Sequence, residues 1–282
     1  MTAPPAVSIV VPTRDRPASL RHCLVALDAQ TAPSFEIVVV DDASTDAAAV
    51  AAAVGEVGCA RLVLGEGRGP AAARNAGARA ATAPVICFTD DDCRPGPEWA
   101  ATMAERVDDG AVAVAGPTRN ARPADAFATA AQTVTNHLTD ESLDPVTGHV
   151  GFAPTSNLAM TAALHRALPF DESFPLAAGE DRDWCDRLTA SGETIAFAPG
   201  AIVDHHQDLD LRRFWRQQER YGRGSQHLRG HRDDAGLQSP RFYVGLVRTG
   251  FRHGMAPGAL VVVAQVATAV GVVREIRAQR RA

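Results

Sequence analysis

The first half of the chain alternates between short apolar runs and longer segments in which apolar residues recur at helical spacing. The apolar runs predict strands at residues 7–13, 35–46, 61–66 and 84–89. Helical segments lie between them at residues 14–30 and 67–82, and another helix is predicted to begin near Ser44 or Thr45. This order of elements predicts an α/β fold, Rossmann-like, with a mainly parallel sheet flanked by helices.

The second half of the chain has a looser pattern. One more strand is predicted at residues 111–116, and mixed segments follow it. We therefore expect one large domain at residues 1–230, whose halves are residues 1–116 and 117–230. A helical C-terminal extension is expected at residues 231–282.

Polar residues follow three of the predicted strands at their C-terminal ends. They are Thr13 with Arg14, Asp41 with Asp42, and an acidic triplet at residues 90–92. Parallel strands bring these ends to one edge of the sheet, which is where open α/β sheets bind their ligands. We therefore expect a binding site at this edge.

The acidic triplet poses an energetic problem, because adjacent carboxylates repel and a buried carboxylate is costly unless it is compensated. A solvated loop would solve the problem, and so would a cation. The second acidic pair at another strand end favours the cation. Mg²⁺ and Mn²⁺ bind carboxylate oxygens together with phosphate oxygens of a substrate. The pattern therefore predicts a divalent metal that holds a diphosphate.

The composition argues against some classes of function. The net charge of −5 and the pI near 6.0 give no argument for nucleic-acid binding. The five cysteines are scattered without a CxxC pair, which argues against a zinc site and against a disulfide framework. This cysteine usage suits the reducing cytoplasm.

An apolar segment lies near the C-terminus at residues 258–273. It is shorter than the ~20 residues that a membrane-spanning helix needs, and Gln265 and Thr268 interrupt it. Arginines follow it, which suits anionic lipid headgroups. We expect a helix that does not span a bilayer. It would dock on its own domain, on a second copy of the chain as a homodimer, or peripherally on the inner face of the membrane.

Several segments resemble the motifs of the family 2 glycosyltransferases, in the same order and at similar spacing. They are VSIVVPTRDRPASL, EIVVVDDASTD, GRGPAAARNAGARAATAPVICFTDDDCRPGPEW and GEDRDWCDRL. The resemblance implies the GT-A fold, a nucleotide-diphosphate sugar donor, a divalent metal and inversion at the anomeric carbon. Residues 1–116 would then bind the nucleotide, and residues 117–230 would bind the acceptor and carry the catalytic base.

The resemblance also implies which residues bind the nucleotide. Pro12, Thr13 and Arg14 match the loop that packs on the base. Asp42 matches the residue that accepts a hydrogen bond from the base ring, and a uracil N–H would suit it, so UDP-sugars are favoured. Arg74 matches a donor-site arginine. Without the resemblance, Asp42 could complement a helix dipole and Arg74 could be a surface residue.

The acidic triplet resembles the DxD motif of the family. Asp90 and Asp91 would lie near the ribose. Asp92 would be the principal ligand of Mn²⁺ or Mg²⁺, and Asp90 would be a further ligand. His205 follows a short predicted strand and resembles a further metal or diphosphate ligand. Histidine pairs such as His205 and His206 are also common on protein surfaces.

The segment at residues 180–181 resembles the ED motif. Inversion needs a carboxylate that takes the acceptor's proton, and Asp181 matches the usual base, with Glu180 as the reserve candidate. An ordinary carboxylate is ionised at neutral pH, and a following helix N-terminus would keep it so. Acids at a helix N-terminus are also ordinary caps.

The segment QQERY at residues 217–221 resembles the QxxRW motif of processive members, with Tyr221 in place of tryptophan. Arg220 would then contact the diphosphate. Because of the tyrosine, and because the sequence lacks several spanning helices, we expect a nonprocessive enzyme.

Without the resemblance, these residues are also compatible with two other functions. A nucleotidyltransferase also combines an α/β sheet with acids and a metal, but it needs a basic, glycine-rich loop after the first strand, and PTRDRP is not one. A noncatalytic sugar-nucleotide-binding protein is disfavoured because Asp92 and Asp181 are both present. The sequence does not distinguish whether the acceptor that carries the hydroxyl is a glycan, a lipid or a natural product.

Overall fold

The computed structural model describes residues 4–32, 34–174, 178–231 and 238–280. The strands are β1 Val7–Thr13, β2 Phe35–Asp41, β3 Ala60–Leu64, β4 Val85–Phe88, β5 Cys93–Pro95, β6 Ala113–Ala115, β7 Thr118–Asn120, β8 His149–Val150, β9 Leu158–Thr161, β10 Ile195–Phe197 and β11 Val203–His205. The helices are α1 Pro17–Asp28, α2 Ala47–Gly55, α3 Pro70–Ala80, α4 Trp99–Asp108, α5 Ala126–Ser142, α6 Ala162–Ala167, α7 Glu180–Ala190, α8 Leu211–His231, α9 Pro240–Arg252 and α10 Met255–Gln279.

The described strands form two sheets. The central sheet has the strand order β3-β2-β1-β4-β9-β6-β10-β8, and the smaller sheet has the order β5-β11-β7. The strands β1 to β4 pair in parallel, as do β6 and β10, whereas β9 runs antiparallel to β4 and β6. The mainly parallel central sheet with flanking helices confirms the predicted fold class.

The packing of β1 explains why its central residues Ile9, Val10 and Val11 are all apolar. Ile9 and Val11 belong to the core that packs against α1, α2 and α4. Val10 belongs to the core on the opposite face, together with residues of α3 and α7. A strand that is buried on both faces carries apolar side chains on both, so these central residues do not alternate with polar ones.

The second helix begins later than predicted, at Ala47 and not near Ser44 or Thr45. Its N-cap is Asp46, whose side chain accepts a backbone hydrogen bond from the first turn. Thr45 instead donates its backbone N–H to the Asp15 carboxylate at 2.7 Å. Thr45 therefore belongs to a contact between the loops that follow β1 and β2.

The helices α8, α9 and α10 pack on one another and on α5. Glycines allow the backbones of α8 and α10 to approach closely. A Cβ at Gly222 would collide with the carbonyl oxygen of Thr268, and one at Gly271 would collide with that of Glu219. The C-terminal helices therefore interlock with α8, which also contributes to the candidate site.

The helix α10 is longer than the apolar segment that the sequence analysis identified. It has 25 residues, and by length and composition alone it could cross a membrane. The prediction that the C-terminal apolar helix is too short to span a bilayer is therefore wrong. In the structure α10 packs against α5, α8 and α9, and 28% of its most apolar stretch is buried.

Candidate active site

The C-terminal ends of β1, β2 and β4 lie at one edge of the central sheet. Pro12 and Thr13 are the last two residues of β1, within the strand predicted at residues 7–13, and they pair with Val40 and Asp41. Thr13 Oγ1 donates a 2.7 Å hydrogen bond to Oδ2 of the buried Asp91. This bond links the end of β1 to the acidic triplet after β4.

Arg16 compensates two of the three acids in the triplet. Its Nη2 lies 2.8 Å from Asp91 Oδ1, and its Nη1 lies 2.7 Å from Asp92 Oδ2. Burial raises the pKa of Asp91 to about 7, although Arg16 opposes the shift. Burial also works against the charge of Asp92, yet His205 and Arg16 hold its pKa well below the usual range. Asp92 is therefore the permanently ionised member of the pair.

Arg74 compensates the third acid and is not a surface residue. Its Nη2 lies 2.8 Å from Asp90 Oδ1, its Nη1 lies 2.9 Å from Glu180 Oε1, and its side chain is 5% exposed. The arginine extends from α3 in the first half of the domain, and Glu180 begins α7 in the second half. Arg74 therefore joins the acidic triplet to the ED motif.

Asp92, Cys93 and His205 bring their metal-ligating atoms within 4.8 Å of one another. The pairing of β11 with β5 sets His205 opposite Cys93, and His205 Nε2 lies 3.3 Å from Asp92 Oδ1. A carboxylate and an imidazole suit a divalent cation such as Mn²⁺. Since Arg16 binds the other oxygen of Asp92, Oδ1 is the one left for a metal. Asp90, which was predicted to assist, is paired with Arg74 and lies outside this cluster.

Gln132 of α5 orients the His205 ring. Its Oε1 lies 3.0 Å from His205 Nδ1, and its side-chain amide nitrogen donates to Asn136 at 2.7 Å. The side-chain amide nitrogen of Gln207 lies 3.1 Å from the same Nδ1, so both glutamines hold the ring with Nε2 facing Asp92. Burial opposes the charge of His205, but Asp92 raises the pKa of the ring above its ordinary value. A histidine held in this way is suited to metal ligation.

The ED motif stands at the start of α7. Gly179 is the N-cap, with a φ of 95° that favours glycine. A Cβ at Gly224 of α8 would collide with the Ala178 carbonyl oxygen, so α8 lies directly against the turn that presents the motif. Asp181 is half-buried, and its Oδ1 accepts a 2.8 Å hydrogen bond from the backbone N–H of Arg182.

Burial and the neighbouring Glu180 raise the pKa of Asp181 to about 7. From its sequence context, Asp181 was predicted to be an ordinary carboxylate that the helix N-terminus keeps ionised. That expectation was wrong because it left out the burial of Asp181 and the charge beside it. A carboxylate with this pKa can both accept and release a proton near neutral pH.

Asp42 lies at the end of β2 and is buried. Its Oδ2 accepts a 2.9 Å hydrogen bond from the backbone N–H of Gly69, the N-cap of α3, so it does face a helix N-terminus. A Cβ at Gly65 would lie 3.1 Å from its other oxygen. Arg14 projects from the neighbouring loop with its side chain 54% exposed. Asp42 and Arg14 thus flank a glycine-containing loop where a flat ring could approach the backbone.

A cavity of about 1280 Å³ opens beside these residues. The predicted site residues in its lining are Arg74, Asp90, Asp92, Glu180, Asp181, His205 and Arg220. The other predicted residues lie outside the described lining and are Pro12, Thr13, Arg14, Asp42 and Asp91. Arg220 Nε is buried and makes no hydrogen bond to any residue that the structure describes. The cavity is therefore lined by the candidate metal ligands Asp92 and His205, by the ED motif and by Arg220.

Three residues that contact the predicted site residues were not predicted from the sequence. Arg16 follows the first strand closely, but nothing in the charge pattern separates it from the other arginines. Gln132 lies in the loosely patterned half of the chain, 73 positions from His205. Cys93 was read as one scattered cysteine, although its place next to the acidic triplet was a usable signal.

Solved structures with this architecture define the class of fold. A mannosyltransferase from Pyrobaculum calidifontis, in complex with GDP-Man and Mn²⁺, matches with a TM-score of 0.61 over 94% of this chain and 74% of its own, at 21% identity. TarS 1–349 from S. aureus, in complex with UDP, matches with a TM-score of 0.56 over 88% of this chain and 71% of its own, at 18% identity. The protein has the GT-A glycosyltransferase fold.

Sequence comparison identifies the family. The profile of glycosyl transferase family 2 matches residues 8–166, and the chain belongs to that family. The pre-mycofactocin glycosyltransferase of Mycobacterium tuberculosis is 30% identical over 227 residues, which cover 77% of this chain and 46% of that protein. The glycosyltransferase AglE of Haloferax volcanii is 27% identical over 230 residues, 78% of this chain and 73% of its own. The chain thus spans about half the length of the first relative, and the predicted resemblance is confirmed.

Proposed function

We propose that the protein is a metal-dependent, inverting glycosyltransferase that moves a sugar from a nucleotide-diphosphate sugar to an acceptor hydroxyl. The observation that carries this proposal is the shared cavity, which Asp181 lines together with Asp92 and His205. Inversion by a single displacement needs a base on one side of the anomeric carbon and the leaving diphosphate on the other. Groups from separate chain segments that face one cavity meet this need.

Asp181 is the base in this mechanism. It accepts the proton of the acceptor hydroxyl while that oxygen forms a bond to the anomeric carbon, and the bond from this carbon to the diphosphate oxygen breaks. A pKa of about 7 leaves a large ionised fraction of Asp181 at neutral pH. Glu180 is the weaker candidate because its carboxylate is paired with Arg74.

Asp92 and His205 would hold the cation, Mn²⁺ or Mg²⁺. A bound cation supplies Lewis-acid stabilisation to the departing diphosphate. Arg220 would add a second positive charge to the diphosphate, since it lines the same cavity and its Nε has no hydrogen-bond partner among the described residues. The Mn²⁺ in the mannosyltransferase complex supports a metal at this site.

The nucleotide would bind at the ends of β1 and β2. Pro12, Thr13 and Arg14 would contact the base, and Asp42 would accept a hydrogen bond from its ring. We favour a UDP-sugar because a uracil N–H suits the Asp42 carboxylate. GDP-Man and UDP in the two neighbouring structures support the donor class. Asp90, with Asp91 behind it, would face the ribose.

We expect a nonprocessive enzyme of the cytoplasm that adds a single sugar. Tyr221 stands where the processive members carry tryptophan, and α10 is the one helix of the described residues that is long and apolar enough to cross a membrane. A nucleotidyltransferase is the weaker alternative, because the loop after β1 carries Arg16 for the acids and has no glycine-rich phosphate cradle.

The protein would also contact a lipid surface through the outer face of α9 and α10. We define this face by its exposed apolar residues Val244, Phe251, Met255, Val262, Val266 and Val273. The exposed arginines beside it on the same two helices are Arg241, Arg248, Arg252, Arg274 and Arg277. Apolar side chains with flanking arginines suit anionic headgroups, and a second copy of the chain is the alternative occupant.

A pair of matched variants tests the proposed chemistry. Asp181→Asn keeps the shape and removes the basicity, so turnover should fall by roughly 10²–10⁴-fold with little change in donor affinity. Asp186→Asn makes the same change in the same helix and should keep near-normal turnover. Donor affinity is read from thermal shifts with UDP-, GDP- and dTDP-sugars, with and without Mn²⁺. Near-normal turnover of the Asp181 variant would contradict the assignment.

A further inference from the structure

We propose that the acceptor is amphipathic. Its reacting hydroxyl lies at Asp181, and an apolar portion, an alkyl or aryl group about 10 Å away, occupies a chamber at the far end of the same cavity. We define the apolar chamber by Val134 and Leu138 of α5, Leu228 of α8, and Phe242 and Leu246 of α9, all of which line the cavity. This inference deepens the proposed function and rests on it.

The helix α8 leads from the reacting centre to the apolar chamber. Its residues Gln218, Tyr221, Ser225 and Leu228 follow one another at helical spacing and all line the cavity. Gly224, one turn after Tyr221, packs against Ala178 and Gly179 directly before the ED motif. Seven residues of helix separate Tyr221 from Leu228, which corresponds to about 10 Å.

The helix α5 follows a similar path. Gln132 contacts His205 of the metal cluster, and two turns later Leu138 lines the apolar chamber. On α8, the Gln217 side chain donates to Gln207, again beside the metal cluster, at 3.1 Å. Along both helices, therefore, residues that contact the surroundings of His205 are followed by apolar residues that line the chamber.

The walls of the chamber are fixed by the interlocked helices. Leu246 is 1% exposed and Leu228 is 7% exposed, whereas Val134 and Phe242 are half-buried beside them. The His137 ring packs against the Phe242 ring, with the ring centroids 4.7 Å apart. Sites for small organic ligands combine such apolar walls with a few polar groups. A simple sugar would leave these apolar walls without a partner, whereas an alkyl or aryl group would cover them.

The residues assigned to the nucleotide base lie outside the lining of the cavity, so its volume of about 1280 Å³ is left for the diphosphate, the sugar and the acceptor. The polar groups near the chamber come from Arg229, Gln238 and Tyr243. They are placed to bind a polar end of the acceptor beyond its apolar portion. The acceptor class is therefore a hydroxyl compound with an apolar segment, and not an unmodified oligosaccharide.

Two glucosides with different aglycones test this inference. The full chain, with UDP and Mn²⁺, is titrated by calorimetry with n-octyl β-D-glucoside below its micelle concentration and with methyl β-D-glucoside. The octyl compound should bind at least about tenfold more tightly, which corresponds to about 1.4 kcal/mol. Equal affinities for the two glucosides would overturn the proposal.

Matched variants locate the binding. Val134→Phe fills the chamber and should weaken octyl glucoside binding by at least about tenfold. Val25→Phe makes the same change at a position of α1 that is 68% exposed and should leave the affinity unchanged. Leu138→Ala provides a second chamber variant that adds no bulk. Octyl binding that survives both chamber variants would place it on the outer face and overturn the proposal. UDP is titrated separately, so failure to bind UDP would contradict the proposed function without being mistaken for failure of the chamber.

Discussion

Arg74 and Glu180 form a buried ion pair, with Nη1 2.9 Å from Oε1, although 106 positions of the chain separate them. The same guanidinium binds Asp90 at 2.8 Å, so one cation serves the acidic triplet and the ED motif. Burying a cation between two acids is favourable only while all of them are present. The pairing therefore fixes the acidic triplet relative to the start of α7, where Asp181 lies.

Removal of this cation should destabilise the fold. Arg74→Met leaves the buried Glu180 and the half-buried Asp90 without their partner, and we expect a loss of about 3–5 kcal/mol in the free energy of unfolding. Arg79→Met, in the same helix with its side chain 60% exposed, is the matched control and should lose far less. Urea denaturation measures both. Adding Glu180→Gln to Arg74→Met should recover part of the loss, and equal losses for the two arginine variants would contradict the role of the pair.

The acidity of Asp181 predicts a pH dependence of turnover. Its pKa of about 7 is raised by burial and by Glu180, and the residue acts as a base only when it is deprotonated. Turnover should therefore fall as the pH decreases through about 7, by about tenfold for each further unit. A kcat profile with the donor saturating measures this. A kcat that stays constant down to about pH 5 would assign the proton transfer to a more acidic group.

The two adjacent histidines should differ in their effect on metal binding. His205→Ala removes a proposed ligand and should weaken Mn²⁺ binding in the presence of UDP by at least about tenfold. His206→Ala should have little effect, because His206 contacts Asp92 through its backbone N–H, which donates to the Asp92 carbonyl at 2.8 Å. Titration of Mn²⁺ by calorimetry distinguishes them. Similar losses in both variants would remove His205 from the ligand set.

Lipid contact should depend on the outer face of α9 and α10. Val266→Glu places a charge in this face, where the wild-type residue is 53% exposed, and should reduce sedimentation with vesicles that contain phosphatidylglycerol. Val146→Glu, at a position that is 91% exposed elsewhere, should bind as the wild type does. Light scattering in solution gives the oligomer mass of each protein. If the Val266 variant changes the mass and not the sedimentation, the face is a dimer interface.

Local sequence patterns were sufficient to predict the parallel half of the fold. Ile9, Val10 and Val11 are all apolar because both faces of β1 are buried. The motif residues at strand ends follow from the same regularity, since parallel strands place their C-terminal ends together. Asp42 and Asp92 could therefore be predicted to lie at one edge of the sheet before their surroundings were known.

The parts that the sequence did not predict depend on contacts between distant segments. The pKa of Asp181 is set by burial that comes from the packing of α8 against the turn before α7, which Gly224 permits. Gln132 acts only through its contact with His205, and Arg16 only through its contacts with the acids. No periodicity or local spacing records such pairings, because each partner looks ordinary in its own segment.

The stereochemistry of sugar release tests the central claim most directly. Glycosyltransferases can transfer to water, so the nucleotide sugar that gives the largest thermal shift is incubated with protein and Mn²⁺ and followed by proton NMR before the free sugar equilibrates. We expect the released sugar to appear first with the anomeric configuration opposite to that of the donor, since water attacks from the side of Asp181 as the diphosphate leaves. First appearance of the donor's own configuration would contradict a single displacement, and with it the assignment of Asp181 as the base.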